Sequence, residues 1–203
     1  LNMGLRLLYK PLYFVEIDAE AAVQFGNLRP KGYAKPVDHL ATSFAADVRT
    51  RGTIGIPLGL ALRFQVHSGD DDTTDNISKA WRPLYPSVAR HVGLLQLFPQ
   101  SNLLQYGGGL RIGPEDRSRL LVDARFCASM SGSVVPAFNQ PTLQSADTWA
   151  PLGTELDVQV IVPFAKTAEL RVISAFFAPS QALSEEVGAS WAQQFMLQAT
   201  ATF

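Results

Sequence analysis

Thr53-Ile54-Gly55-Ile56-Pro57-Leu58-Gly59-Leu60-Ala61-Leu62-Arg63-Phe64-Gln65-Val66-His67 is the stretch on which the fold class turns. Every even position from Ile54 to Val66 is apolar, while the odd positions carry Gly55, Pro57, Gly59, Arg63 and Gln65. A repeat of two is the repeat of a β-strand with one buried face. Unbroken, the run would reach roughly 45 Å, at ~3.3 Å per residue. Pro57 lacks an N–H for the ladder, so it bends the run or limits pairing near its start.

The same period returns along the chain. Leu120, Val122, Ala124 and Phe126 oppose Arg119, Asp123 and Arg125; Leu156, Val158, Val160, Val162 and Phe164 oppose Glu155, Asp157 and Gln159. Leu170, Val172 and Phe176 alternate with Arg171, and Trp191, Phe195, Leu197 and Phe203 with Gln194, Gln198, Thr200 and Thr202. A first strand is expected within Leu12–Phe25, and shorter ones at Gly93–Phe98 and Leu103–Ile112. Two segments read as helix: His39–Val48, with Leu40, Phe44 and Val48 at i, i+4 and i+8, and Ser87–Leu94. About eight strands between loops rich in Pro and Gly indicate an all-β sandwich or barrel, in one domain over 1–203.

Composition narrows the function classes. Of 203 residues, 47% are apolar and 17% charged, below the ~25% usual for soluble domains. Such economy of charge fits a surface covered by neighbours or a large sheet core. The net charge of −1 gives no field for holding nucleic acid across a face. Cys127 is the sole cysteine, so no intrachain disulfide forms, and its place on a strand opposite Phe126 makes it a packing thiol. No apolar run approaches the ~18 residues of a membrane-spanning helix. Leu1-Asn2-Met3-Gly4 lacks the form of a signal peptide.

Candidate chemistry is thin. His39, His67 and His91 lie far apart, no G-x-S-x-G elbow occurs, and Ser129-Met130-Ser131-Gly132-Ser133 reads as a turn. Gly107-Gly108-Gly109 is followed by no Gly-Lys-Ser/Thr and reads as a bulge or loop. Asp70, Asp72 and Asp75 lack the central Gly and terminal Glu of a calcium loop. No catalytic, metal or cofactor site is expected, and the protein is not expected to be an enzyme.

Three stretches resemble the jelly-roll coat proteins of picorna-like small icosahedral RNA viruses. Arg51-Gly52-Thr53-Ile54 opens a long alternating strand. Trp149-Ala150-Pro151-Leu152-Gly153 leads into a strand that ends Val162-Pro163-Phe164, and Gln193-Gln194-Phe195-Met196-Leu197 forms the closing strand. The resemblance implies an eight-stranded antiparallel jelly-roll sandwich of two facing sheets with one or two short helices. It further implies a capsid subunit in a virion, assembling with copies of itself or related coat proteins. Contact with genomic RNA would be weak, since Arg6 and Lys10 are the only basic residues of the first ten. No membrane partner is expected. Interface aromatics would be Trp81, Tyr85, Tyr106, Phe138 and Trp149. The alternative is a β-sandwich module binding carbohydrate or peptide. On either reading the apolar positions face a core, so Leu60→Asp and Val160→Asp are expected to prevent folding and Gln65→Asp to be tolerated.

Overall fold

Alternation carries most of the chain into strands, and each strand pairs with the next. The computed structural model describes residues 1–29, 36–50, 57–70, 75–83, 93–95, 97–98, 100–114, 118–129, 150–181, 183 and 190–201. Its strands are β1 (Asn2–Leu12), β2 (Val15–Leu28), β3 (Val37–Thr50), β4 (Leu58–His67), β5 (Ile77–Ser78), β6 (Leu103–Ile112), β7 (Arg119–Ser129), β8 (Pro151–Ala165), β9 (Ala168–Pro179) and β10 (Ala192–Ala201). They form a single 10-stranded sheet in the order β1-β2-β3-β4-β6-β7-β8-β9-β10, every neighbour on that path antiparallel. The two-residue β5 lies off the path, parallel to β3.

The all-β, antiparallel expectation holds. The order, however, is a meander of sequence neighbours, without the crossings that return jelly-roll strands to a facing sheet, and ten strands stand where eight were expected. His39–Val48 is the middle of β3, not a helix. Its apolar residues recur every fourth position, and four is a whole number of strand repeats, so the spacing suits either structure. Of Ser87–Leu94, residues 87–92 lie outside the described residues, and Gly93 and Leu94 are not helical. Gly93–Phe98 is likewise not a strand where it is described, and the Thr53–His67 run is strand from Leu58. Gly107-Gly108-Gly109 pairs in regular register within β6 rather than forming a loop.

The largest departure concerns which face is covered. Leu60, Leu62 and Phe64 are 53%, 67% and 42% exposed, whereas Gln65 between them and the next turn is 5% exposed. The cross-strand register extends this division over the sheet. Tyr9, Ile17, Val48, Leu62, Val122, Val158, Ser174 and Phe195 lie on the outer face, and the inner face holds the alternating polar residues. Every Asp, Glu, Lys and Arg of the nine path strands except Asp38, at the start of β3, is on the inner face. The period of two holds, and the burial of its two faces is the reverse of that expected. Leu60 and Val160 are therefore not core positions, and Gln65 is.

The buried apolar cluster is small. Phe98, Leu103, Cys127, Leu152, Phe177 and Leu183 pack together on the inner side, with Phe98 and Phe177 edge to face at 5.5 Å. Connections alternate in length with strand direction. One end of the sheet has the short links 13–14, 51–57, 113–118 and 166–167; the other has 29–36, 68–102, 130–150 and 180–191.

Glycines on β6 tell the two faces apart. A Cβ at Gly107, on the inner face, would strike the Ala124 carbonyl and come within 2.9 Å of the Arg125 Cα. At Gly108, on the outer face, it would meet nothing closer than 3.3 Å. Gly107→Ala should lower stability by about 1–3 kcal/mol, the usual cost of overpacking, and Gly108→Ala by under about 1 kcal/mol. Denaturant midpoints of the two variants measure the difference.

Candidate functional site

A polar residue on the covered face of a strand needs a partner, because a buried charge without one costs several kcal/mol. The register supplies the partners in rows. One row runs Asp47, Arg63, Gly107, Arg125, Glu155 across β3, β4, β6, β7 and β8. Its neighbour, one inner position along, runs Arg49, Ala61, Gly109, Asp123, Asp157. Acids and arginines of the two rows interlock. Arg49 Nη2 is 2.6 Å from Asp47 Oδ2, and Arg63 Nε is 3.6 Å from Asp47 Oδ1. Arg63 also pairs with Asp123, and Arg125 with Asp157. The absent side chain of Gly109 makes this possible, since a Cβ there would collide with the Asp123 carboxylate and lie 3.3 Å from Arg63 Nη1.

Glu155 is 2% exposed, and Cys127 is fully buried as a packing group. Beside the rows, a cleft of about 240 Å³ is lined by Glu16, Arg49, Gly59, Ala61, Arg63 and Asp123, among others.

Toward the end with long connections, loop segments fold onto the inner face. Gln24 donates from Nε2 to the Arg82 carbonyl at 2.5 Å and accepts the Arg82 N–H at Oε1 at 3.0 Å. Trp81 stacks on His67 at 6.3 Å, and Ser43 Oγ lies 2.8 Å from His67 Nδ1. His39 Nδ1 lies 2.9 Å from the Ser78 carbonyl. The Leu94 and Leu95 N–H groups reach Asp157 Oδ2 and Glu155 Oε1 at 3.3 and 3.0 Å. Among the described residues no group of three or more His, Cys, Asp or Glu is placed to hold a metal ion.

Of the five aromatics expected at an interface, Trp81 and Tyr106 are among the described residues. Trp81 is only 8% exposed, buried by its own chain against His67, so it is not an exposed loop anchor. Tyr106 is exposed on the outer face beside Phe126, ring centroids 5.1 Å apart. Tyr85, Phe138 and Trp149 lie outside the described residues. The polar rows on β3, β4, β7 and β8 are not among the sites expected from the sequence. Their signal is parity: each charge occupies the alternate position to the apolar residues of its strand. No protein-family model matches the chain, and no curated protein matches it.

The Arg125–Asp157 pair is the most buried of these contacts, its side chains 7% and 1% exposed. Arg125→Met leaves Asp157 and Glu155 without their cation and should cost about 3–5 kcal/mol. Adding Asp157→Leu should recover part of that loss. Denaturant unfolding of the single and double variants tests both statements.

Proposed function

We propose that the chain forms wall strands of a transmembrane β-barrel, its outer face against lipid and its inner face lining an aqueous passage for hydrophilic solutes. The observation that carries this reading is the segregation of charge described above, with one sheet face free of it but for Asp38. In water, a broad exposed apolar face is a liability, whereas a membrane barrel requires it together with a polar interior.

Other features support the same reading. The nine path strands are 10 to 15 residues long, enough for the ~9–11 that a tilted strand uses to cross. Short links at one end and long loops at the other match the asymmetry of outer-membrane barrels. Phe25, Phe64, Tyr106, Phe126, Phe176 and Phe195 all lie on the outer face, each three residues from the strand end that joins a long loop. Tyr9 and Phe164 lie toward the opposite end. Aromatic rings at a fixed depth are the girdles of a membrane barrel.

The expectation of no membrane partner followed from the coat-protein resemblance and from the lack of an apolar run long enough for a helical span. Among the described residues no helix is long and apolar enough to cross a membrane, which does not bear on strands. The coat-subunit reading rests on layout. It calls for an apolar face enclosed between two sheets, and the described strands make one sheet with that face open. A membrane wall also requires both sheet edges to be paired. β1 and β10 are the outer strands of the path and run in the same direction, so joining them directly would make a parallel seam. An antiparallel closure takes an odd number of further strands.

Lipid-vesicle flotation of the full chain tests the proposal. The wild type should float with vesicles. Leu62→Arg and Val158→Arg, at the middle of outer-facing runs, should each weaken insertion by about 2–4 kcal/mol, while inner-face Gln159→Lys floats as wild type does. A chain that stays monodisperse in detergent-free buffer and ignores vesicles would refute the membrane reading. A megadalton particle would favour the coat subunit.

A further inference from the structure

The inner row Glu16, Arg49, Ala61, Gly109, Asp123 carries almost no side chain where it crosses β4 and β6. The gap left there is the cleft of about 240 Å³. Ala61 and Gly109 form its floor, and charged groups stand on every side. Glu16 and Arg49 wall it from β2 and β3, and Asp123 walls it from β7. Arg63 closes it toward the long connections and Arg111 toward the short links, each one inner position away. Gly59 makes room for Arg111, whose Nε and Nη2 lie 3.1 and 3.2 Å from the point where a Cβ would sit.

We propose that this cleft is a binding site for a small, singly charged carboxylate, held between the Arg49 and Arg111 guanidinium groups over the Ala61–Gly109 floor. The site gives the solute of the passage a chemical class. Its role in transport rests on the membrane-barrel reading; the site itself does not.

Charge sets the sign and the number. Lys10, Arg49, Arg63 and Arg111 stand in or against the cleft, as do the acids Glu16, Asp47 and Asp123. Each acid is engaged by cations of that same group: Glu16 by Lys10 at 3.5 Å, Asp47 by Arg49 and Arg63, and Asp123 by Arg63. The cations of this group exceed the acids by one charge. A single negative charge restores the balance, whereas a second would meet Glu16 and Asp123 with no cation left to match it.

Geometry selects a carboxylate. A guanidinium presents its N–H donors in a planar fork that fits the two oxygens of a carboxylate. Asp47 and Asp123 hold Arg49 and Arg63 in place before a solute arrives, which lowers the cost of binding. The space is smaller than the ~300–1,000 Å³ of sites for drug-sized ligands, so the solute is small. Leu121 and the Ala61 methyl group supply apolar contact for a short carbon skeleton.

Arginine Nε–H NMR signals of the full chain in detergent micelles, titrated with sodium lactate at low salt, test the site. Lactate should shift the Arg49 and Arg111 signals saturably and leave that of Arg171, on β9, in place. Sulfate, with its second charge, should bind about tenfold more weakly or worse, and glycerol should shift neither signal. Arg111→Gln should weaken lactate about tenfold or more, read at Arg49. Ala61→Leu fills the floor without altering a charge and should abolish the shifts, with circular dichroism showing that the sheet is kept. Unmoved Arg49 and Arg111 signals in the wild type would overturn the proposal. So would sulfate binding tighter than lactate, or Ala61→Leu binding lactate as the wild type does. Lactate flux into vesicles carrying the chain reads the passage separately. Saturable shifts in micelles without flux would sink the passage reading and leave the site standing.

Discussion

Arg125 and Asp157 meet on the covered face of the sheet, and their contact shows the constraint under which the rest is arranged. A charge removed from water must find its opposite within a few ångströms, or the strand that carries it does not stay in place. Here most of the opposites arrive from other strands: Asp47 with Arg63, Arg63 with Asp123, Arg125 with Asp157, while Arg49 pairs with Asp47 of its own strand. Pairing across strands fixes register, and because side chains alternate with a period of two, a slip by one residue would turn every charge outward. The same register that satisfies the arginines makes the outer face continuous and apolar. Gly109 belongs to this arrangement, since a side chain there would occupy the space in which Arg63 meets Asp123, and Gly107 lets the β7 backbone come close beside it.

Much of this was legible in the sequence, though not its polarity. The alternation from Leu58 to His67 and from Leu156 to Phe164 gives strands wherever it occurs, and β4, β6, β7, β8, β9 and β10 fall on the stretches it marks. Alternation is silent on which face is covered. In water, hydropathy assigns the apolar face to a core, and that inference placed Leu60 and Val160 inside. The information that would have reversed it lies in the charges: Arg63, Asp123, Arg125, Glu155 and Asp157 share a face with Gln65, Gln105 and Gln159, a composition suited to mutual pairing rather than free solvation. β1 and most of β3 escape a sequence reading for different reasons. Met3, Leu5 and Leu7 alternate with Gly4, Arg6 and the apolar Leu8, which blurs the period, and the four-residue spacing in β3 fits a helix as well as a strand.

The candidate site was not legible, because it is made by register. Arg63 and Asp123 are far apart in sequence and neither belongs to a motif, yet the pairing of β4 with β6 and of β6 with β7 brings them into contact. The loops depend on the same framework. Trp81, read from sequence as a surface anchor, lies against His67 because the segment after β5 folds inward, and Gly93 lets the next segment settle on Glu155. A single sheet thus presents two unlike surfaces, one apolar with a line of rings near the long-loop end, the other charged, internally paired and partly covered by its own connections.

The direct test of this account is accessibility measured residue by residue along β4. Nitroxide labels placed singly from Leu60 to Gln65 in the vesicle-reconstituted chain report collisions with oxygen, which concentrates in lipid, and with a polar nickel complex, which stays in water. The account predicts oxygen maxima at Leu60, Leu62 and Phe64 and minima at Ala61, Arg63 and Gln65, with the contrast greatest near Leu62. The opposite phase, or nickel access at Leu60, Leu62 and Phe64 equal to that of an exposed loop, would contradict it.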